Sequence, residues 1–161
     1  MSAAGATPGI RVEEHEIVFD DASYTATMRV VGDVSEQEMA AIQEAVTPLL
    51  VGRPPRFWLI NMTRAGIMGS GARRGLAGWM RSMPGPGVAY ICANPRARIV
   101  MSLVHQAVRL FTGLQHASEF FDTEEEALAW ISERNSGGAA PRRPRPREPD
   151  PSPRCSSYSA G

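Results

Sequence analysis

The sequence predicts an α/β domain, a mixed sheet of about five strands with about four helices packed on it. Two apolar runs, Phe57-Trp58-Leu59-Ile60 and Val88 to Ala93, have the composition of strands buried on both faces. Each leads into a segment whose apolar residues recur at three and four, as on a helix with one face against a core. A pair of strands opens the chain before this alternation begins, which makes the sheet mixed.

The elements follow in order. Arg11 to Phe19 and Tyr24 to Val31 read as strands joined by a turn at Asp20-Asp21-Ala22-Ser23. Glu13, Glu14 and Glu16 give the first the charge of an edge strand. Ser35 and Glu38 form a capping box, and Met39, Ile42, Val46, Leu49 and Leu50 make one apolar helix face. Gly52 and Pro54-Pro55 stop that helix. The buried strand spans 57–62, and a Gly-rich turn from Gly66 to Gly71 follows. A helix then opens at Ser70, with Ala72, Leu76, Trp79 and Met80 facing the core. Gly75 and Gly78 weaken it by roughly 1 kcal/mol each relative to Ala.

Pro84 to Gly87 is a loop, and Val88 to Ala93 the next strand. Asn94 caps a helix with Pro95 in its first turn. Ile99, Val100, Leu103, Val104, Ala107, Val108 and Phe111 form its broad apolar stripe, and Gly113 ends it. A strand at Glu119 to Phe121 leads to Asp122 and Thr123, either of which can cap the last helix, where Ala127, Leu128 and Ile131 face inward. Residues 1–9 read as a flexible leader, 10–134 as the folded domain and 135–161 as a disordered Pro/Arg-rich tail.

Composition narrows the function. The chain has 161 residues, enough for one domain with a core. Formal net charge is zero, so nothing global draws it to nucleic acid or an anionic membrane. All 17 basic residues are arginine, which excludes Schiff-base chemistry, lysine-anchored pyridoxal phosphate and a Walker-type phosphate loop. Cys92 and Cys155 show no metal or disulfide spacing, and no two of His15, His105 and His116 stand at i, i+4. No apolar stretch reaches the ~18 residues that span a bilayer, and the N-terminus lacks the form of a signal peptide. The expectation is a cytoplasmic, non-enzymatic protein without metal or cofactor, without nucleic acid and without stable membrane insertion.

Ser70 is the residue that carries chemistry. A serine at a helix start, past the carboxyl end of a central strand, lies among free backbone donors and suits an anion, a phosphoryl group or a partner. Arg64, Arg73 and Arg74 are near enough in sequence to stabilise added charge. A plain N-cap would also need that hydroxyl.

Residues 59–73 resemble the STAS domain, the fold of anti-sigma-factor antagonists. That family runs a hydrophobic strand into Asp-Leu-Ser, then a Phe-Met or Phe-Ile pair, then Asp-Ser-Ser-Gly at a helix start. Here Asn61-Met62-Thr63, Ile67-Met68 and Gly69-Ser70-Gly71 occupy those places, and Ser70 falls on the family's phosphorylatable serine. The acids that help form the family's kinase and phosphatase surface are replaced by Asn61 and Gly69. The ending, Phe120 to Ile131 with its Ala-x-x-Trp helix, is similar to the divergent SpoIIAA-like, or STAS/SEC14-like, branch.

The resemblance implies a STAS-like sheet and a regulatory module that docks a protein partner around Ser70. The expected surface is Asn61, Thr63, Gly69, Ser70, Gly71, Arg73 and Arg74. The alternative is a carrier or sensor of a small apolar, lipid-like ligand. Its cavity would lie beneath the second and third helices, with Leu76, Trp79, Met80, Val104 and Phe111 as the candidate lining.

Overall fold

The computed structural model describes residues 9–51, 54–82, 87–92, 94–113 and 117–136. The chain runs β1 (Ile10–Val12), β2 (His15–Asp20), β3 (Thr25–Val34), α1 (Glu36–Leu50), β4 (Phe57–Met68), α2 (Ser70–Ser82), β5 (Gly87–Ile91), α3 (Pro95–Thr112), β6 (Ala117–Phe121) and α4 (Glu124–Asn135). One six-stranded sheet has the order β1-β2-β3-β4-β5-β6. The first two pairings are antiparallel and the remaining three parallel.

Two expected boundaries change. The first strand is two: the chain reverses at Glu13-Glu14, so Val12 pairs with His15. Glu13 takes a left-handed φ of 52° there, at a cost of about 1–2 kcal/mol. No Gly, Asn or Pro marks this turn, and that is why the sequence pattern hides it. The strand after the double proline also does not end at 62. It continues to Met68, and Val31, Gly32 and Val34 pair with Arg64, Ala65 and Met68 through two register shifts. Residues 66–68 are strand, and Gly69 alone connects to α2. Gly66 is required by close approach: a Cβ there would overlap the Asp33 carboxylate. β5 pairs only with Phe57 to Asn61, so the ends of β3 and β4 project past it as a two-stranded arm.

Helices α1, α2 and α3 cover one face. Ile42, Leu76, Trp79 and Met101 meet Met28, Trp58, Ile60 and Tyr90 there. α4 covers the other face, packing Ala127 and Ile131 on Phe57, Leu59, Ala89 and Ile91. Alternate residues of β4 therefore serve different helix layers, which explains its unbroken apolar run. The Trp58 and Trp79 rings meet edge to face at 5.3 Å. Thr123 caps α4, its hydroxyl accepting from the Glu126 N–H at 3.3 Å. Leu128, expected inside, is 46% exposed. α4 runs through Asn135 with Ser136 as its C-cap, so the folded part passes the expected boundary at 134; residues 137–161 of the expected tail and 1–8 of the leader lie outside the described residues.

Candidate functional site

The site lies where the β3–β4 arm turns into α2. Gly69 occupies the N-cap position: its N–H donates to the Val34 carbonyl at 3.1 Å, and its carbonyl accepts from the Arg73 N–H at 3.0 Å. Ser70 is therefore the first helical residue and not the cap. Its side chain is exposed and makes no hydrogen bond among the described residues. Gly69 has no side chain and supplies no side-chain cap, its carbonyl accepting only the ordinary first helical bond, and Ser70, one residue too late, does not cap either. The Arg73 guanidinium folds back to donate to the Met68 carbonyl at 2.7 Å and pins the strand end to the helix. Arg74 is exposed in the same first turn.

Acids reach this junction from a segment the sequence motif does not include. Asp33 accepts a hydrogen bond from the Ile67 N–H at 2.7 Å. Glu36, the first residue of α1, lies against Gly71, where a Cβ would overlap its carboxylate. α2 has no acid in its own first turn, so Glu36 supplies the negative charge that a helix N-terminus favours. Asn61 and Gly69 leave the motif without carboxylates, and the acids at this junction are Asp33 and Glu36, from the end of β3 and the start of α1. The only trace of this in the sequence is a glycine at 66 and at 71, each needed to let an acidic side chain approach.

The structure groups Gly69, Ser70, Gly71, Arg73 and Arg74 and separates them from Asn61 and Thr63. Those two residues precede Met68 by seven and five strand positions, roughly 16–23 Å at the rise of an extended chain. Asn61 spends its side-chain oxygen locally, accepting from the Thr63 hydroxyl at 2.7 Å and the Thr63 N–H at 3.1 Å.

Among the described residues, the expected apolar lining encloses no ligand-sized cavity. The space between the sheet and α2–α3, bounded by Leu76, Trp79, Tyr90 and Met101, is about 20 Å³, room for about one water and far short of the ~300 Å³ of a small-molecule pocket. Leu76, Trp79, Met80 and Val104 are core. Phe111 points outward at 82% exposure and lines no interior space. A larger groove of about 310 Å³ opens instead between the arm and the start of α3, with Met62, Ala65, Met68 and Val100 below Arg73 and Arg96.

His15 and His105 serve packing. His15 is 1% exposed and its Nδ1 accepts from the Val31 N–H at 3.2 Å. His105 Nε2 and the Tyr90 hydroxyl are hydrogen-bonded at 2.7 Å inside the core, and burial pushes the Tyr90 hydroxyl well above its ordinary pKa. His116 lies outside the described residues. Cys92 is buried, its thiol against the Asn94 carbonyl at 3.3 Å. Among the described residues, no three His, Cys, Asp or Glu side chains gather as metal ligands, and no helix is long and apolar enough to cross a membrane.

No protein-family model and no curated protein matches the chain in sequence. Solved structures do match in shape. The anti-sigma factor antagonist SpoIIAA in its unphosphorylated form is 15% identical with a TM-score of 0.52, over 73% of this chain and 97% of that one. An anti-sigma factor antagonist from Mycobacterium paratuberculosis is 16% identical with a TM-score of 0.50, over 74% and 95%. An uncharacterized protein of the DUF3478 family with a SpoIIAA-like fold, from Shewanella loihica PV-4, is 17% identical with a TM-score of 0.52, over 81% and 98%. Likeness at this identity speaks for architecture alone, and on that ground the chain has the SpoIIAA-like, STAS-type α/β fold, here a six-stranded mixed sheet with four helices.

Proposed function

We propose that this protein is a non-enzymatic regulatory module that docks a protein partner through the junction of the β3–β4 arm with α2. One observation carries the reading: Ser70 stands exposed at the first turn of α2 with its hydroxyl free among the described residues, while Gly69 and not Ser70 holds the N-cap position. A serine relieved of structural duty at a helix N-terminus is suited to contact or modification. The likeness to anti-sigma factor antagonists supports the class of function. The charges set the sign of the response. Added negative charge on Ser70 meets Glu36 and Asp33 on one side and Arg73 and Arg74 on the other, so a partner shaped to the neutral surface loses its fit.

The test is affinity purification of full-length protein from its own host, comparing wild type, Ser70→Ala and Ser70→Asp by quantitative proteomics. The expected result is a partner retained by wild type and Ser70→Ala and depleted about tenfold or more by Ser70→Asp. Identical partner sets in all three refute the docking surface. The groove between the arm and α3 favours a second reading, a small ligand with an apolar body and an anionic end set against Arg73 and Arg96. Native mass spectrometry of the host-purified protein distinguishes the two: a co-purifying small-molecule mass supports the second, and a bare chain opposes it.

A further inference from the structure

The zero net charge conceals a strong segregation. Residues 45–118 contain nine arginines and no Asp or Glu, whereas residues 1–44 carry nine acids against two arginines. The fold turns this into a surface, because the basic block supplies both α2 and α3, neighbours on the same face of the sheet. On α2 the exposed charges are Arg73, Arg74 and Arg81. On α3 they are Arg96 and Arg109. None of Arg74, Arg81, Arg96 and Arg109 is in an ion pair among the described residues. The acidic helix of this layer, α1, packs on the far side of α2.

Between these charges α3 presents apolar side chains to solvent. Ile99, Leu103 and Leu110 are 61%, 59% and 83% exposed, and Phe111 is 82% exposed. At 3.6 residues per turn, Arg96, Ile99, Leu103, Gln106 and Leu110 fall within a sector of about 80° directed away from the sheet. The core-facing line of the same helix is separate, formed by Met101, Val104, His105 and Val108. α3 is thus apolar on two sides, and among the described residues only one of them is covered.

We infer that the outward face of α3, with the arginines of α2 beside it, is a docking surface for an anionic lipid bilayer. Charge complementarity selects the partner. Arginines flanking a row of large aliphatic residues match headgroup phosphates above acyl chains. A nucleic-acid backbone would satisfy the arginines and leave three aliphatic side chains idle. The protein lies on the bilayer with α3 in the interface; the acids of α4 lie on the opposite face of the sheet, and those of α1 lie beyond α2 at the far side of the layer. The apolar row lies on α3 and Ser70 on α2, with only Arg73 and Arg74 common to both surfaces, so the vesicle test does not depend on the partner docking proposed above.

The test is flotation of the full-length protein with vesicles of phosphatidylcholine alone and of phosphatidylcholine with roughly one quarter phosphatidylglycerol. The expected result is binding to the anionic vesicles only, weakening as salt rises. Arg96→Glu and Arg109→Glu each lower the partition coefficient by about fivefold or more. The double variant Leu110→Asp with Phe111→Asp abolishes binding, and so does the independent pair Ile99→Asp with Leu103→Asp. Arg11→Glu, an exposed charge on the opposite edge of the sheet, leaves it unchanged. Absence of binding to anionic vesicles at low salt overturns the inference. Binding that survives both aspartate pairs also overturns it, by locating the attraction outside α3. A self-association dispersed by the same variants, without vesicle binding, assigns the face to a second copy of the chain and overturns it too.

Discussion

Gly71 and Gly78 lie in the same helix, and the structure assigns their replacement by alanine opposite signs. At Gly78 a Cβ meets nothing within 4 Å. Alanine there gains only the helix propensity that glycine forfeits, about 1 kcal/mol. For a domain of this size that raises Tm by roughly 4 °C. At Gly71 the same Cβ overlaps the Glu36 carboxylate and comes within 2.9 Å of the Glu36 Cβ. The carboxylate can rotate away, but the Cβ moves only with the backbone of α1. Overpacking of this kind costs about 1–3 kcal/mol, more than the propensity gained. The expected net loss is about 1 kcal/mol, read as a fall in the urea midpoint at constant m-value. Adding Glu36→Ala should recover part of that loss, giving a coupling of about 0.5 kcal/mol or more in a double-mutant cycle. A Gly71→Ala variant as stabilised as Gly78→Ala would refute the close approach of Glu36, and with it the acidic side of the Ser70 junction.

Three further outcomes follow from burial and hydrogen bonding. Leu59 is fully buried between β4 and α4, so Leu59→Ala should lose about 3 kcal/mol in denaturant unfolding. Phe111→Ala should change stability by less than about 0.5 kcal/mol because the ring stands in solvent, whereas Met101→Ala, in the buried line of the same helix, should lose about 2–5 kcal/mol. Acid should destabilise the fold in part through two carboxylates held below their ordinary values. The Ser35 N–H lowers Glu38, ordinarily 4.5, and the Ser23 hydroxyl followed by the Ala22 N–H lowers Asp20, ordinarily 3.8. Each folded pKa lies below the unfolded one, so the stabilisation is present above the unfolded value and lost as pH falls through the folded one. Glu38→Gln should therefore flatten the fall in Tm below pH 4.5; an unchanged acid limb would refute the contribution of this cap.

Much of the architecture is legible in local chemistry. The capping box at Ser35 and Glu38, the Asn94-Pro95 start of α3 and the Gly113 stop, with φ 66°, all rest on interactions within a few residues of one another. The apolar run at 57–60 announces a strand covered on both faces, and α1–α3 and α4 supply the two covers. The placement of Ser70 at a helix start past a central strand follows from the same local signals. What was not legible depends on distant segments. The Glu13 turn has no residue suited to left-handed backbone and is imposed by pairing of β1 with β2. β4 continues to Met68 only because β3 offers a parallel partner as far as Val34.

Composition alone established that the chain folds, that lysine chemistry is closed to it and that its charges sum to zero, because these depend on which residues are present and not on where they lie. The elements and their caps followed from spacing along the chain, because helix and strand periods are local. Tertiary structure decided the rest. It placed Asp33 against Gly66 and Glu36 against Gly71 at the junction that holds Ser70, and it turned one apolar side of α3 toward water. It also gathered a basic stretch of sequence into a basic face. Those outcomes are set by which surfaces the sheet order buries, and burial is a property of the assembled layers.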